Sequence, residues 1–357
     1  MFKYVDHLIP SSALPRALGR FAMLSRLIVT AALALTVFNA PARAQDKPNL
    51  TVYTYSSFVG KYGPGNAVKQ AFEAVCQCTM TYVASDDAGS LMARLKLEGT
   101  ATKADVVLGL DANLAAEAAQ TGLFAPHGVD PKSLSLPITW ADPLLVPFDW
   151  GYLAFVYVST KLQNPPKSLK ELVTNPNGPK IVVQDPRTSA PGLGFLLWMA
   201  SVYGDGAADA WKQLRPRIVT FTKGWSEAYG LFLKGEADMV VSYTTSPAYH
   251  IAVEKKTQFK AAPFAEGHYL TIELAGVTKT TQQKDLANRF IAFMLSDAFQ
   301  AKMPEGNFMY PARTPTTGLP ASFSDLIRPE KALLVPPADV AQRRRALIDA
   351  WLDATAR

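Results

Sequence analysis

The hydrophobic pattern changes period repeatedly along the chain. LTVYTYSSF (50–58) is a β-branched and aromatic run that reads as a strand. Beyond the break at Gly63-Pro64-Gly65, Val68, Ala71, Phe72 and Val75 recur at helical spacing. CTMTYVAS (78–85) returns to strand character, and Ser90 opens a helix through Leu91 and Leu95 that Gly99 closes. ADVVLGL (104–110) reads as a buried strand and ANLAAEAAQ (112–120) as a helix ending near Gly122. After residue 158 the same order resumes, with strands at KIVVQDP (180–186), RIVTFT (217–222) and ADMVVSYTT (237–245). Helices lie between them: one ends at Gly204, one runs from Ser226-Glu227 to Gly235, and one follows the cap pair Ser246-Pro247. Further helices are expected at 283–295 and 297–303, then a Pro-rich connection to 336 and a terminal helix carrying Val340, Leu347, Ile348, Trp351 and Leu352.

Alternating strands and helices predict an α/β chain, and 357 residues suit two domains better than one. Two long strand-like stretches, 144–158 and 269–277, read as crossings between lobes. The predicted division is 45–152 with 268–312 as lobe 1, and 153–267 with 313–357 as lobe 2. A cleft then lies between the lobes, and ligands of such sheets sit beyond the carboxyl ends of the strands.

Composition adds a compartment. LIVTAALALTVF (27–38) is 12 uncharged residues, short of the roughly 20 a membrane span needs. Arg16, Arg20 and Arg26 precede it and Ala42-Arg43-Ala44 follows, the order of a secretory signal with cleavage after Ala44. The formal net charge of +6 with a pI near 9.1 suggests a polyanionic partner. Residues 1–44 carry five of the basic residues and one of the acidic ones, so the remainder has a charge of only +2. No interior Lys/Arg cluster looks like a nucleic-acid footprint, and Arg343-Arg344-Arg345 reads as a solvated helix face. The expectation is an exported, periplasmic monomer with neither nucleic-acid partner nor membrane insertion.

Cys76 and Cys78 are the two cysteines, spaced C-x-C. In an oxidising compartment a disulfide ranks first, free buried thiols second and a reactive thiol third. With no His nearby the pair makes a poor zinc site.

Residues just after the strands are the candidate site. They include Tyr55, Tyr243 and Tyr249, with Trp225 opening a helix, and Tyr62 and Phe308 (in GNFMYP) in neighbouring loops. Aromatic faces attract cations by about 0.5–2 kcal/mol each, so these six with Asp87 suit a flat, cationic heterocycle. Each aromatic alone could equally be core; their coincidence at strand ends favours a site. Thr188-Ser189-Ala190-Pro191-Gly192 is a hydroxyl- and glycine-rich turn ahead of a helix, suited to an anion or to an ordinary cap. Signatures of catalysis are poor: there is no G-x-S-x-G, Walker or H-E-x-x-H motif. His127, His250 and His268 lie far apart, and His250 reads as a satisfied histidine rather than a ligand. No cofactor and no metal are expected.

Longer stretches carry a resemblance. LTVYTYSSF, KADVVLGLD, VPFDWGYLAFVY, QDPRTSAPGLG, TKGWSEAYGLFLKGEAD, SYTTSPAYH, EGHYL and GNFMYP resemble the periplasmic thiamine-binding proteins of bacterial ABC importers, from about Leu50 to the terminal helix. The C-x-C is similar to the family's. The resemblance implies a type II periplasmic-binding-protein fold, with thiamine or its mono- or diphosphate in the cleft, handed to a membrane permease driven by an ATPase. It implies ligand contacts at Tyr55, Asp87, Ala88, Ser189, Trp225, Tyr243 and Tyr249. In that picture Asp87 meets the aminopyrimidine, the aromatics enclose the rings, and Ser189 receives the hydroxyethyl or phosphate end. The chain departs from the family at Phe308 and Tyr62, where the family often has Trp; Phe308 still stacks but offers no N–H. Two alternatives share this fold: a thiaminase I-like enzyme, which needs a nucleophilic cysteine in the cleft, and a ferric-ion-binding protein, which needs clustered tyrosines with His or carboxylate ligands.

Overall fold

The computed structural model describes residues 47–356; the secretory signal read at 1–44 lies outside them. Nine strands matter for the site: β1 Asn49–Tyr55, β2 Thr79–Ser85, β3 Val106–Asp111, β4 Val146–Val158, β5 Ile181–Gln184, β6 Ile218–Thr222, β7 Met239–Tyr243, β8 Phe259–Ala261 and β9 His268–Val277. The helices that position the site and its core are α1 Gly65–Cys76, α2 Ala88–Glu98, α3 Ala115–Gln120, α4 Ala190–Tyr203, α5 Ala207–Leu214, α6 Trp225–Lys234, α7 Pro247–Ala252, α8 Lys284–Met294 and α9 Pro337–Thr355. The strand expected over 50–58 ends at Tyr55, because Ser56–Val59 turns into a short helix.

The strands form one continuous path in the order β2-β1-β3-β9-β4-β7-β5-β6, with β8 paired to β4. β1 runs parallel to β2 and β3, and β5 runs parallel to β6 and β7. Between the two parallel triplets lie β9 and β4, each antiparallel to its neighbours in the path. β4 is long enough to serve both: residues 146–152 pair with β9, and residues 153–158 pair with β7 and β8. All ten residues of β9 are buried, which matches a strand covered on both faces.

Register explains why a cleft forms at the middle of β4. Asp111, the last residue of β3, pairs with Glu273 of β9, and Glu273 pairs with Asp149 of β4. Tyr243, the last residue of β7, pairs with Leu153 of β4. The carboxyl ends of both triplets thus point at the same short segment of β4, where parallel sheets place their ligands.

Each triplet has an apolar cluster of its own, and a larger one runs through both. Phe72 of α1 meets Phe290 and Phe293 of α8 at 5.1 and 5.2 Å, over β1 and β3. Val75, placed by periodicity on the buried face, is instead 62% exposed, and Cys76 takes the buried position one residue on. Cys76 and Cys78 are joined as a disulfide around the left-handed Gln77. The terminal helix α9 packs against both α3 and α5. Trp351 sits edge-on to Phe221 at 5.0 Å, while Arg344 Nη1 donates to Glu117 Oε2 at 2.5 Å. Arg343-Arg344-Arg345 is therefore not wholly a solvated face: Arg343 and Arg345 are exposed, but Arg344 is half-buried in an ion pair. Among the described residues no helix is long and apolar enough to cross a membrane.

Candidate functional site

A cavity of about 460 Å³ opens where the two triplets face each other, a volume suited to a small ligand. The structure brings Tyr55, Tyr62, Asp87, Ala88, Trp225, Tyr243, Tyr249 and Phe308 to its wall. The sequence pattern places these residues near strand ends or in nearby loops, and the register of β3, β4, β7 and β9 draws them together.

Tyr55 leaves the end of β1 and lies over β3. A β-carbon at Gly109 would come within 2.1 Å of the Tyr55 ring, and Gly109 has φ +108°, at a register shift in β3. Only glycine fits both demands. Tyr55 Oη donates to Glu273 Oε2 at 2.5 Å. Across the cavity the Trp225 ring stacks on Tyr229 with centroids 4.8 Å apart, and its Nε1 donates to Ser242 Oγ at 2.8 Å. At the mouth Tyr249 meets Tyr62 and Phe308 edge-on at 5.7 and 5.3 Å. Phe308 has φ +54°, a conformation that costs a non-glycine residue of order 1–3 kcal/mol and aims its ring at Tyr249. Tyr62 is 58% exposed, so the outermost wall is the least shielded from water.

Asp87 reaches the cavity wall, and its carboxylate is engaged by donors of the protein itself. It caps α2 and is only 7% exposed. Its Oδ1 accepts from Ala88 N at 2.7 Å and Ala190 N at 3.3 Å; its Oδ2 accepts from Ser189 Oγ at 2.8 Å and Trp225 N at 3.1 Å. A carboxylate offers about four acceptor sites, and all are engaged. Three of the four donors come from the starts of α4 and α6, on the opposite side of the cleft. Burial raises the Asp87 pKa, and these four bonds pull it back down. The backbone beside Asp87 makes equally close contacts. Ser90 N donates to Thr188 O at 3.0 Å, and a β-carbon at Gly89 would come within 2.6 Å of the Thr188 carbonyl carbon. Asp87 thus fastens one side of the cleft to the other.

Ser189 is the predicted residue that does not reach the cavity wall. It is buried, 1% exposed, and its hydroxyl is spent on Asp87. The same bonds fill the start of α4, so the turn expected to receive an anion already holds a carboxylate of the protein. Helix boundaries shift for related reasons. Asp87, not Ser90, caps α2, and Gly224 rather than Ser226 caps α6. His250 is fully buried, held between Tyr229 Oη at 2.9 Å and Glu254 Oε2 at 2.9 Å, away from the cavity wall.

Sequence reading missed the acids of the floor. Glu273 and Asp111 line the cavity with Asn307, and Asp149 lies directly behind. Asn307 Nδ2 donates to Asp149 Oδ2 at 2.6 Å, to Tyr55 Oη at 2.9 Å and to Glu273 Oε2 at 3.3 Å. Burial pushes Glu273 up to about 8 and Asp111 up to about 7. Burial and the neighbouring Glu273 raise Asp149 well above the carboxylate range. The available signal was a lone acid inside each apolar strand, Asp149 in VPFDWGY and Glu273 in YLTIELAGV.

Chemically, the cavity offers aromatic walls and a carboxyl floor, the surroundings of a flat cation. Among the described residues no cysteine lines it. Among them, too, no three His, Cys, Asp or Glu side chains are placed to hold a metal ion.

Comparison with known proteins agrees with this arrangement. Residues 67–324 match the family described as bacterial extracellular solute-binding protein. The thiamine-binding periplasmic protein of Brucella melitensis is 54% identical over 330 residues, covering 92% of this chain and 98% of that one. That of Escherichia coli strain K12 is 54% identical over 323 residues, covering 90% and 98%. A solved periplasmic thiamin binding protein superposes with a TM-score of 0.85 at 55% identity, covering 87% of this chain and 97% of the other. The chain therefore has the two-lobed periplasmic-binding-protein fold and belongs to the bacterial extracellular solute-binding proteins, among the periplasmic thiamine-binding proteins.

Proposed function

We propose that this chain captures thiamine in the cavity between β3, β7 and the middle of β4, and presents it to a membrane permease coupled to an ATPase. The observation that carries the reading is a cavity with Trp225, Tyr243, Tyr249 and Phe308 on its walls and Glu273 on its floor, in a chain 54% identical to thiamine-binding relatives. The aromatic faces hold the two rings, and the acids offset the positive charge of the thiazolium. A mono- or diphosphate tail extends toward Lys61, the one cation among the described lining residues, beside Ser56 and Ser57, because the start of α4 is occupied by Asp87.

The chain acts as a binding protein, not an enzyme and without a cofactor, and as a monomer in the periplasm after cleavage behind Ala44. The lobes divide within β4, between Tyr152 and Leu153, where pairing passes from β9 to β7. Lobe 1 is 45–152 with 268–312; lobe 2 is 153–267 with 313–357. Capture follows from closure: contacts from both sides favour the closed form, and that differential affinity shifts the population. Titration calorimetry with thiamine, thiamine monophosphate and thiamine diphosphate tests the reading. Saturable one-to-one binding is expected; absence of heat with all three overturns it.

A further inference from the structure

Glu273 sits in a row of three carboxyls that capture of a neutral ligand would not require. Asp111, Glu273 and Asp149 are direct cross-strand neighbours on β3, β9 and β4. Directly paired residues share one face of a sheet with β-carbons about 4.5–5.5 Å apart, and like charges there repel. Among the described residues none of the three belongs to an ion pair. Their donors are neutral: Tyr55 and Asn307 for Glu273, Asn307 for Asp149, and Asn113 Nδ2 and Leu114 N for Asp111. Asp149 is fully buried and its Oδ1 has no hydrogen-bond partner. Asp87 is spent on its four donors and cannot serve as the counter-charge without releasing them.

We propose that Glu273, backed by Asp111 and Asp149, is the specificity-determining group that selects a ligand by its singly charged cationic ring, taking that ring up in exchange for a proton. This rests on the thiamine reading and names how that site tells charge from shape. In the empty cavity the row holds protons, since three adjacent buried carboxylates without a cation are mutually destabilising. A cation seated on the floor replaces one proton, which leaves for solvent, so net charge in the cavity is conserved. The groups facing Glu273 are Tyr55 from β1, Asp87 ahead of α2, Asp111, Asp149, Tyr243 from β7 and Asn307. Burial raises all four carboxyls, and burial and the acids raise Tyr55 and Tyr243 well above the ordinary tyrosine range. Arg344 acts weakly on Asp111 and is itself bonded to Glu117. Burial raises Glu273 to about 8, so cation affinity strengthens as pH rises through neutrality.

The test compares thiamine with its uncharged isostere, in which carbon replaces the charged ring nitrogen, on wild-type protein and on Glu273→Gln. Wild type is expected to favour thiamine by about tenfold or more, or about 1.4 kcal/mol, and the preference should fall to near unity in Glu273→Gln. The ratio is the readout, so a general loss of affinity does not mimic the result. If the variant does not fold, calorimetry of the wild type in buffers of different ionisation heat decides alone. Release of a proton fraction with thiamine but not with the isostere supports the proposal; no release overturns it. An unchanged preference in folded Glu273→Gln also overturns it. Failure of wild type to bind either compound removes the thiamine reading itself, and this inference with it.

Discussion

Replacing Asp87 by alanine should open the cleft. The substitution removes the acceptor shared by Ser189 Oγ, Ala190 N and Trp225 N, which all reach it from the opposite side. A hydrogen bond to a charged group contributes about 1.5–3 kcal/mol when made in the protein. The Ala190 contact is long at 3.3 Å, and water solvates all three donors once the lobes part, so much of the gross value returns. A net shift of about 2–3 kcal/mol against the closed form is therefore reasonable. Apparent affinity falls with the closed fraction, so the dissociation constant for thiamine should rise at least tenfold, and nearer a hundredfold if little closed form remains. Loss of the α2 cap costs about a further 1 kcal/mol of stability, without acting on affinity. Asparagine should not rescue binding, because its amide nitrogen would face a donor on either side of the carboxyl position. Titration calorimetry measures the affinity, and small-angle X-ray scattering with and without thiamine reports closure. Wild-type affinity in Asp87→Ala, or an unchanged compact scattering profile without ligand, would refute the assignment of Asp87 as the fastening group.

Two further outcomes follow from the same geometry. Trp225→Ala removes the ring stacked on Tyr229 and should weaken thiamine binding by about tenfold or more; calorimetry showing an undiminished affinity would take Trp225 out of the wall. The acid row also ties stability to pH. A carboxyl whose folded pKa lies above its unfolded value favours the folded state when protonated, so this stability is present below the unfolded pKa and fades as pH rises toward the folded one. With Glu273 raised to about 8 and Asp111 to about 7, the ligand-free protein should melt lower at about pH 8.5 than at about pH 6, and Glu273→Gln should flatten that slope. Differential scanning calorimetry that finds the wild type more stable at the higher pH would contradict the row's protonation.

The strands and helices were legible because burial imposes its period on the chain locally. The first strand as far as Tyr55, the crossings at 144–158 and 269–277 and the helix stops at Gly99, Gly204 and Gly235 all depend on neighbours within a few residues. The site aromatics were legible for a related reason: parallel strands put their carboxyl ends at the ligand, so Tyr55 and Tyr243 could be picked from position alone. Asp87 was found for its type, but its bonds across the cleft were not legible, since those partners lie 102, 103 and 138 residues away.

The sequence by itself determined the α/β order, the aromatic candidates and the small net charge beyond residue 44, because each is a local or additive property. Tertiary structure alone decided that Asp111, Asp149 and Glu273 stand side by side, that Ser189 turns away from the cavity and that a carboxylate of the protein occupies the start of α4. Those facts depend on the register between strands distant in the chain and on how two triplets meet across β4. Such contacts are set by the joint packing of the whole core, and no window of the sequence contains them.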